Sequence, residues 1–180
     1  MTSHRAPRVR RPIVLLAIAA VVAACGIPDG SSRKSQPAVV RQRMGGTLIS
    51  VVYNRPAARG RVLFGGIVPY GQLWCPGADE ATRLELSRGV RIEGRPLAAG
   101  KYSVWAIPQP GEWTVIFSTR ARAYHTPYPA GHDALRIRVA TQTGPYMESL
   151  GYYFPLATTD SAVLVAQWGT TVVPLHIRPE

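Results

Sequence analysis

Apolar and polar residues alternate with a period of two over most of the chain from Gly46 onward. This alternation is typical of β-strands that bury one face and expose the other, and no segment shows the 3.6-residue period of an amphipathic helix. The pattern predicts about nine short strands. They are Thr47–Tyr53, Thr82–Ser87, Val90–Glu93, Lys101–Ile107, Glu112–Ser118, Ala134–Ala140, Ser149–Leu156, Ala162–Trp168 and Thr171–Ile177.

Turn residues separate these strands. The sequence Pro-Gln-Pro-Gly at residues 108–111 predicts a hairpin, and Gly169-Thr170 predicts another tight turn. Short strands and turns at this spacing favour an all-β fold, a single antiparallel β-sandwich or jelly-roll-like domain. The predicted core residues are Val52, Leu84, Leu86, Ile92, Val104, Val115, Phe117, Ile137, Val139, Val163 and Val165, although a strand could present its other face.

The first 45 residues follow a different pattern. Four arginines precede an uninterrupted apolar run over residues 12–24, and Cys25 follows two small residues. The run is shorter than the roughly 20 residues of a membrane span and fits the hydrophobic region of a signal peptide. Small residues followed directly by a cysteine favour a bacterial lipoprotein signal in which Cys25 receives the lipid. An ordinary cleaved signal is the alternative.

This pattern predicts three segments. They are a signal peptide over residues 1–24, a lipidated Cys25 with a flexible tether over residues 25–45, and the β-sandwich over residues 46–180. We expect an exported protein that is anchored to the cell envelope through lipid on Cys25. Because Gly26 rather than aspartate follows Cys25, the expected place in a cell with two membranes is the outer membrane, facing the periplasm.

The formal charge of +11 is concentrated near the start of the chain. Residues 1–45 hold 8 basic and 1 acidic residue, whereas residues 46–180 hold 13 and 9. The predicted domain therefore has a modest excess of positive charge, spread in alternating sign, and no nucleic-acid-binding motif. We expect no nucleic acid partner. We also expect no cofactor, since no helix follows Gly65-Gly66, as a phosphate-binding loop requires.

A long irregular stretch, Asn54–Ala81, and the residues after it contain seven short motifs: Asn54-Arg55-Pro56, Gly60-Arg61, Phe64-Gly65-Gly66, Val68-Pro69-Tyr70-Gly71, Leu73-Trp74, Gly77-Ala78-Asp79-Glu80-Ala81-Thr82 and Ala99-Gly100-Lys101-Tyr102-Ser103. With these motifs the sequence from about Gly46 to Ile177 resembles the bacterial family called domain of unknown function 2911. The resemblance implies an exported protein, often a lipoprotein, with an all-β domain and no established activity. Many members have an arginine after the tryptophan and an asparagine before the glutamate, where this chain has Cys75 and Asp79.

The polar and aromatic residues of these motifs form the predicted ligand-binding site. An arginine fork can hold a carboxylate or a phosphate through two parallel hydrogen bonds, and aromatic rings can stack on a sugar or an aromatic ligand. The predicted site residues are Arg55, Arg61, Tyr70, Trp74, Asp79, Glu80, Thr82 and Lys101. The structural alternative is that Arg55 or Arg61 pairs with Asp79 or Glu80 and only holds the loop in place.

No catalytic residue and no metal site are predicted. Asp79 and Glu80 are neighbours in sequence, whereas the two carboxylates of a glycosidase lie on facing elements. His125 and His132 lie seven residues apart in a second long loop, without further metal ligands of suitable spacing. Cys75 is the one thiol left once Cys25 is lipidated, and we expect it to be buried and inert.

The sequence thus favours a non-enzymatic module that binds a small ligand or an envelope component. Two alternatives stay open. One is a hydrolase of an envelope polymer that uses Glu80 or Asp79 as its acid or base. The other is a structural partner of another envelope protein.

Overall fold

The computed structural model describes residues 1–2 and 35–180. Cys25 and nearly all of the predicted signal peptide lie outside the described residues. The chain divides into two units, Met1–Gly30 and Ser31–Glu180. In the part of the chain that the structure describes, no helix is long and apolar enough to cross a membrane.

The described part of the second unit is built of strands, which confirms the predicted all-β class. Its ten strands are β1 Gln36–Met44, β2 Thr47–Arg55, β3 Arg83–Leu86, β4 Val90–Ile92, β5 Arg95–Leu97, β6 Gly100–Gln109, β7 Glu112–Ser118, β8 Asp133–Ala140, β9 Gln142–Ala157 and β10 Ala162–Pro179. They form a six-stranded sheet in the order β1-β2-β3-β6-β7-β8 and a four-stranded sheet in the order β5-β4-β10-β9. Every strand pair is antiparallel, as expected of a β-sandwich.

One apolar core draws its residues from both sheets. Nine of the eleven predicted core residues are buried. Val52 and Val163 are only half-buried, because β2 turns Ile49 and Val51 inward and β10 turns Leu164 inward. The predicted face of β2 was therefore displaced by one residue, whereas in β10 residues 164–168 are all buried and do not alternate.

The predicted tether over residues 25–45 is wrong in its second half. Residues 36–44 form β1, which pairs with β2 from Gln36↔Arg55 to Met44↔Thr47. Alternate residues of β1 pack against the core, and Met44 is fully buried. This strand was missed in the sequence analysis because it has few large apolar residues and lies at the edge of its sheet. The short strand β5 was missed for the same reason.

β10 is one continuous strand of 18 residues, so the predicted hairpin at Gly169-Thr170 is wrong. The first part of β10 pairs with β9 and its last residues pair with β4. A straight strand of this length would extend about 60 Å. Yet Thr159, just before β10, and Pro179, near its end, line the same cavity. The strand therefore bends, and register shifts on both sides of Gly169 mark the bend.

We expect Gly169→Ala to lower the free energy of unfolding by about 2–4 kcal/mol. Gly169 has a φ of 58°, a left-handed conformation that costs other residues about 1–2 kcal/mol. An added β-carbon would also lie 2.8 Å from Cδ1 of Leu63, which would have to repack at a similar cost. Urea unfolding measures the loss.

Gly111→Ala is the matched control. Gly111 has a φ of 79°, and an added β-carbon there would meet no atom within 4 Å. The free energy of unfolding of this variant should fall only by the cost of the left-handed conformation, about 1–2 kcal/mol. Equal losses in the two variants would contradict close packing of Leu63 on the bend.

Candidate functional site

The structure separates the predicted site residues rather than gathering them in one pocket. Arg61 and Tyr70 line a groove beside the bend of β10. Glu80 lines a smaller cleft near the start of β1, and Lys101 lines a third depression on the six-stranded sheet. Trp74, Arg55, Asp79 and Thr82 line none of these three, and each has a structural contact of its own.

The groove is the best candidate for a binding site. It has a volume of about 440 Å³ and lies between the long loop after β2 and the bend of β10. The residues that line it are Arg61, Leu63, Phe64, Tyr70, Tyr146, Trp168, Gly169, Thr170 and Thr171. Only Arg61 and Tyr70 of these were predicted. Leu63 and Phe64 come from the same loop, Tyr146 comes from β9, and the other four come from the bend of β10, where the sequence predicted a simple turn.

Phe64 and Trp168, which line the groove, belong to a cluster of four aromatic rings that also contains Trp74 and Trp113. Trp74 stacks on Trp168 at 6.0 Å between ring centroids, and Phe64 meets Trp113 edge-on at 4.8 Å. Trp74 is also fixed through its backbone, which exchanges two 2.8 Å hydrogen bonds with Ala106 of β6. Trp74 is thus a buttress beneath the groove and not the exposed stacking wall that the sequence suggested.

The loop is held against β9 by backbone hydrogen bonds. The amide of Ala58 donates to the Glu148 carbonyl at 2.8 Å, and the amide of Arg59 donates to the Glu148 carboxylate at 2.7 Å. Arg61 then ties the loop to itself, since Nε donates to the Ala58 carbonyl and Nη2 donates to the Ala57 carbonyl, both at 2.8 Å. The guanidinium is therefore fixed in place at the edge of the groove.

Arg61 does not hold the loop through Asp79 or Glu80, so the predicted ion pair is replaced by backbone contacts. The same is true of Arg55, whose Nε donates to the Leu150 carbonyl on β9 at 3.3 Å. Both arginines brace the loop, as the structural alternative proposed, but with different partners.

Among the described residues, Arg61 is the one charged residue that lines the groove, and the carboxylate of Glu148 is hydrogen-bonded to Tyr146, which also lines it. The pKa of Glu148 is lowered by the hydrogen bond from the Arg59 amide, by the hydrogen bond from the Tyr146 hydroxyl and by the charges of Arg59 and Arg61. The 2.9 Å hydrogen bond to Glu148 in turn raises the pKa of Tyr146. Glu148 thus stays ionised at neutral pH, and it orients the Tyr146 ring beside Arg61.

A second group of motif residues has a structural role. The side-chain amide of Asn54 donates to the Ala78 carbonyl at 2.8 Å and to the Glu80 carboxylate at 3.0 Å. The fully buried Thr82 hydroxyl donates to the Pro76 carbonyl at 2.7 Å. These bonds satisfy polar groups where the loop returns over the sheet, as buried backbone requires.

Asp79 is the exception in this group. It has a positive φ of 58°, and its backbone carbonyl accepts hydrogen bonds from the amide and the ring Nδ1 of His125. Its carboxylate oxygen Oδ2 is buried and has no hydrogen-bond partner among the described residues. The resemblance places asparagine here in many relatives, and asparagine suits a left-handed conformation well.

Lys101 belongs to a surface network. Its Nζ lies 3.7 Å from the Glu85 carboxylate, which also accepts a 2.7 Å hydrogen bond from Arg83. Burial raises the pKa of Glu85, but the hydrogen bonds and charges of Arg83 and Lys101 outweigh it, so the pKa is lowered overall. This is a cross-strand charge pair on the six-stranded sheet, not part of the groove.

Cys75 is buried, which confirms the prediction. It belongs to a small second core with Ala81, Trp105 and Ile116, and burial raises the pKa of its thiol to about 12. A buried thiol with a raised pKa is a poor nucleophile and a poor metal ligand, because the thiolate is the reactive form. In residues 1–2 and 35–180, no group of three or more His, Cys, Asp or Glu side chains could hold a metal ion.

The geometry thus defines a β-sandwich with an aromatic-based groove at a strand bend. The family described as "Protein of unknown function (DUF2911)" matches residues 35–177, and the chain belongs to this family. The match begins one residue before β1, in agreement with β1 being part of the domain. No curated protein and no solved structure matched the chain.

We expect Asp79→Asn to raise the free energy of unfolding by about 1 kcal/mol. The neutral amide costs less to bury without a partner than a carboxylate does, and asparagine keeps the left-handed conformation. Asp79→Ala is the control, because it removes the same carboxylate but should be about 1–2 kcal/mol less stable than the asparagine variant. A loss of stability in Asp79→Asn would show that the negative charge is needed at this position.

We expect Cys75 to resist thiol reagents in the native state. With a pKa of about 12 against an ordinary 9.0, its thiolate fraction at neutral pH is lowered by about three orders of magnitude. Labelling of the full chain carrying Cys25→Ser, followed by mass spectrometry, should require unfolding. Adding Val62→Cys at an exposed position gives a fast-reacting control, and equal rates at both thiols would disprove burial.

Proposed function

We propose that this protein is an exported, lipid-anchored module of the cell envelope whose groove binds a small ligand that carries an anionic group beside a ring. The single observation that supports this most strongly is Arg61, which is held rigidly at the edge of an aromatic-based groove. A fixed cation next to aromatic surface favours ligands that combine negative charge with a flat face.

Arg61 has donors left for a ligand. A guanidinium has five N–H groups, and the contacts to Ala57 and Ala58 use one on Nε and one on Nη2. The remaining three can bind a carboxylate or phosphate oxygen. Because the side chain is already ordered by its backbone contacts, binding costs little additional conformational entropy.

The walls of the groove suit a ring. Tyr70 and Tyr146 line it and expose much of their surface, and the hydroxyls of Thr170 and Thr171 add polar groups at the bend. A volume of about 440 Å³ lies within the roughly 300–1,000 Å³ of small-molecule sites. The ligand class that fits best is an acidic sugar or a phosphorylated or carboxylated ring.

The hydrolase alternative has less support. Glu80 and Asp79 do not line the groove, and Asp79 Oδ2 is buried. Two carboxylates that act on one bond must both face the substrate. We therefore assign no catalytic role to either residue.

Thermal-shift measurements on the purified full chain test the proposal. The ligands are uronic acids, simple carboxylates, phosphates, neutral sugars and divalent metals. At 100 times its dissociation constant, an anionic ring ligand should stabilise the fold by about 2.7 kcal/mol, which raises Tm by about 5–10 °C. Neutral sugars of the same size should give a smaller shift.

Variants at the groove separate binding from stability. Arg61→Gln and Arg61→Lys should abolish or weaken the shift, since both lose the guanidinium fork, while Tyr146→Ala should weaken it through lost stacking. Arg91→Gln is the matched control, because exposed Arg91 also donates to a nearby carbonyl, that of Gly94, far from the groove. A thermal shift that survives in the Arg61 variants would overturn the groove as the binding site. The absence of a shift with every ligand class would overturn small-ligand binding and favour a protein partner.

A further inference from the structure

Four large apolar side chains stand exposed around the groove. The exposed fractions are 73% for Val62, 43% for Ile67, 42% for Tyr70 and 59% for Tyr146. We call these four residues the apolar rim. Large side chains that gather in this way around one opening mark a contact surface rather than scattered surface residues.

Hydrogen bonds and ring packing hold the apolar rim in one conformation. The amide of Ile67 donates to the Val62 carbonyl at 3.0 Å, and the amide of Val68 donates to the Leu63 carbonyl at 2.9 Å. The Tyr70 ring packs directly on Gly65, where a β-carbon would lie 2.8 Å from the ring. The exposed side chains are therefore presented by a fixed turn.

Positive charge borders the rim. Arg55 at the end of β2 and Arg59 and Arg61 on the loop after it are all exposed, and the amide of Arg59 donates to the carboxylate of Glu148. An apolar surface edged by an excess of arginines is complementary to a bilayer with anionic headgroups. Tyrosine is also one of the two residues that prefer the interface between headgroups and acyl chains.

The first strand of the domain starts at this end. Gln36, the first residue of β1, pairs with Arg55, and Arg55 contacts Leu150, four residues along β9 from Tyr146. Ten residues separate Cys25 from Gln36. Ten residues span at most about 36 Å when fully extended. An anchor on Cys25 thus keeps this end of the domain within reach of the bilayer.

We infer that the apolar rim docks on the surface of an anionic phospholipid bilayer and orients the groove toward it. Val62 and Ile67 enter the headgroup region, and the arginines contact lipid phosphates. The inference uses the lipid anchor of the proposed function to bring the domain to the bilayer. It shares Arg61, Tyr70 and Tyr146 with the proposed ligand site, but Val62 and Ile67, which carry the labels, do not line the groove.

Site-specific labels test this contact in the full, lipid-anchored chain reconstituted in vesicles. An environment-sensitive fluorophore is attached at Val62→Cys and, separately, at Ile67→Cys, with Cys75 protected by burial. With vesicles of phosphatidylglycerol and phosphatidylcholine that contain a nitroxide-labelled lipid, we expect several-fold stronger quenching at both positions than at Thr159→Cys. Thr159 is exposed and contacts Gly45 at the opposite end of the β1–β2 hairpin.

Charge is tested with the same labels. Arg59→Gln combined with Arg61→Gln, or vesicles of phosphatidylcholine alone, should reduce the quenching at Val62→Cys at least twofold. Equal quenching at Val62→Cys and Thr159→Cys overturns the inference. A label that is shielded in native membranes but not quenched by lipid nitroxide also overturns it, in favour of a protein partner.

The anchor is verified independently by the mass of the peptide that contains Cys25. Where no acyl chain is found, the proposed function loses its anchor, and the chain carrying Cys25→Ser and the same label is added to vesicles in excess. Quenching at Val62→Cys under these conditions supports membrane contact by the apolar rim, and the absence of quenching overturns that contact. A missing anchor and a missing rim contact are therefore distinguishable.

Discussion

The groove depends on one aromatic cluster that joins three parts of the domain. Trp113 comes from the six-stranded sheet, Trp168 from the four-stranded sheet, and Phe64 and Trp74 from the loop between β2 and β3. Edge-on and offset stacks of this kind bury large areas and fix the relative orientation of the rings. The loop is long for a compact domain, and this cluster is the apolar contact that seats it across both sheets.

The loop between β2 and β3 also needs hydrogen-bond partners for its backbone carbonyls. This need explains why some motif residues support the loop while others remain available for a ligand. Asn54 and Thr82 bind loop carbonyls, and Arg61 does the same at the loop's other end. The side chains of Asn54 and Thr82 therefore have a structural role only. Arg61 differs because it lines an open groove and keeps N–H groups that the loop does not use, so that one side chain both supports the loop and serves the ligand site we propose.

The bend of β10 supplies the other wall. A regular strand would leave a flat surface beside the loop, whereas the register shifts around Gly169 turn Thr170 and Thr171 toward the groove. Bulges occur often next to functional sites because they re-aim side chains in this way. The same end of the domain holds the apolar rim and the start of β1, so ligand binding and membrane contact would take place on one surface.

The sequence by itself determined the strand period, the all-β class, the family and the burial of Cys75, because alternation and composition are local properties of the chain. It also singled out Arg61 and Tyr70. Only the tertiary structure decided which motif residues share a pocket: it added Tyr146 and Trp168, which are distant in sequence, and removed Glu80 and Lys101. It also decided that Gly169 bends a strand instead of ending one. A glycine with a positive φ suits a hairpin turn as well as a bend, and only the pairing of β10 with β9 and β4, which are distant in sequence, selects the bend.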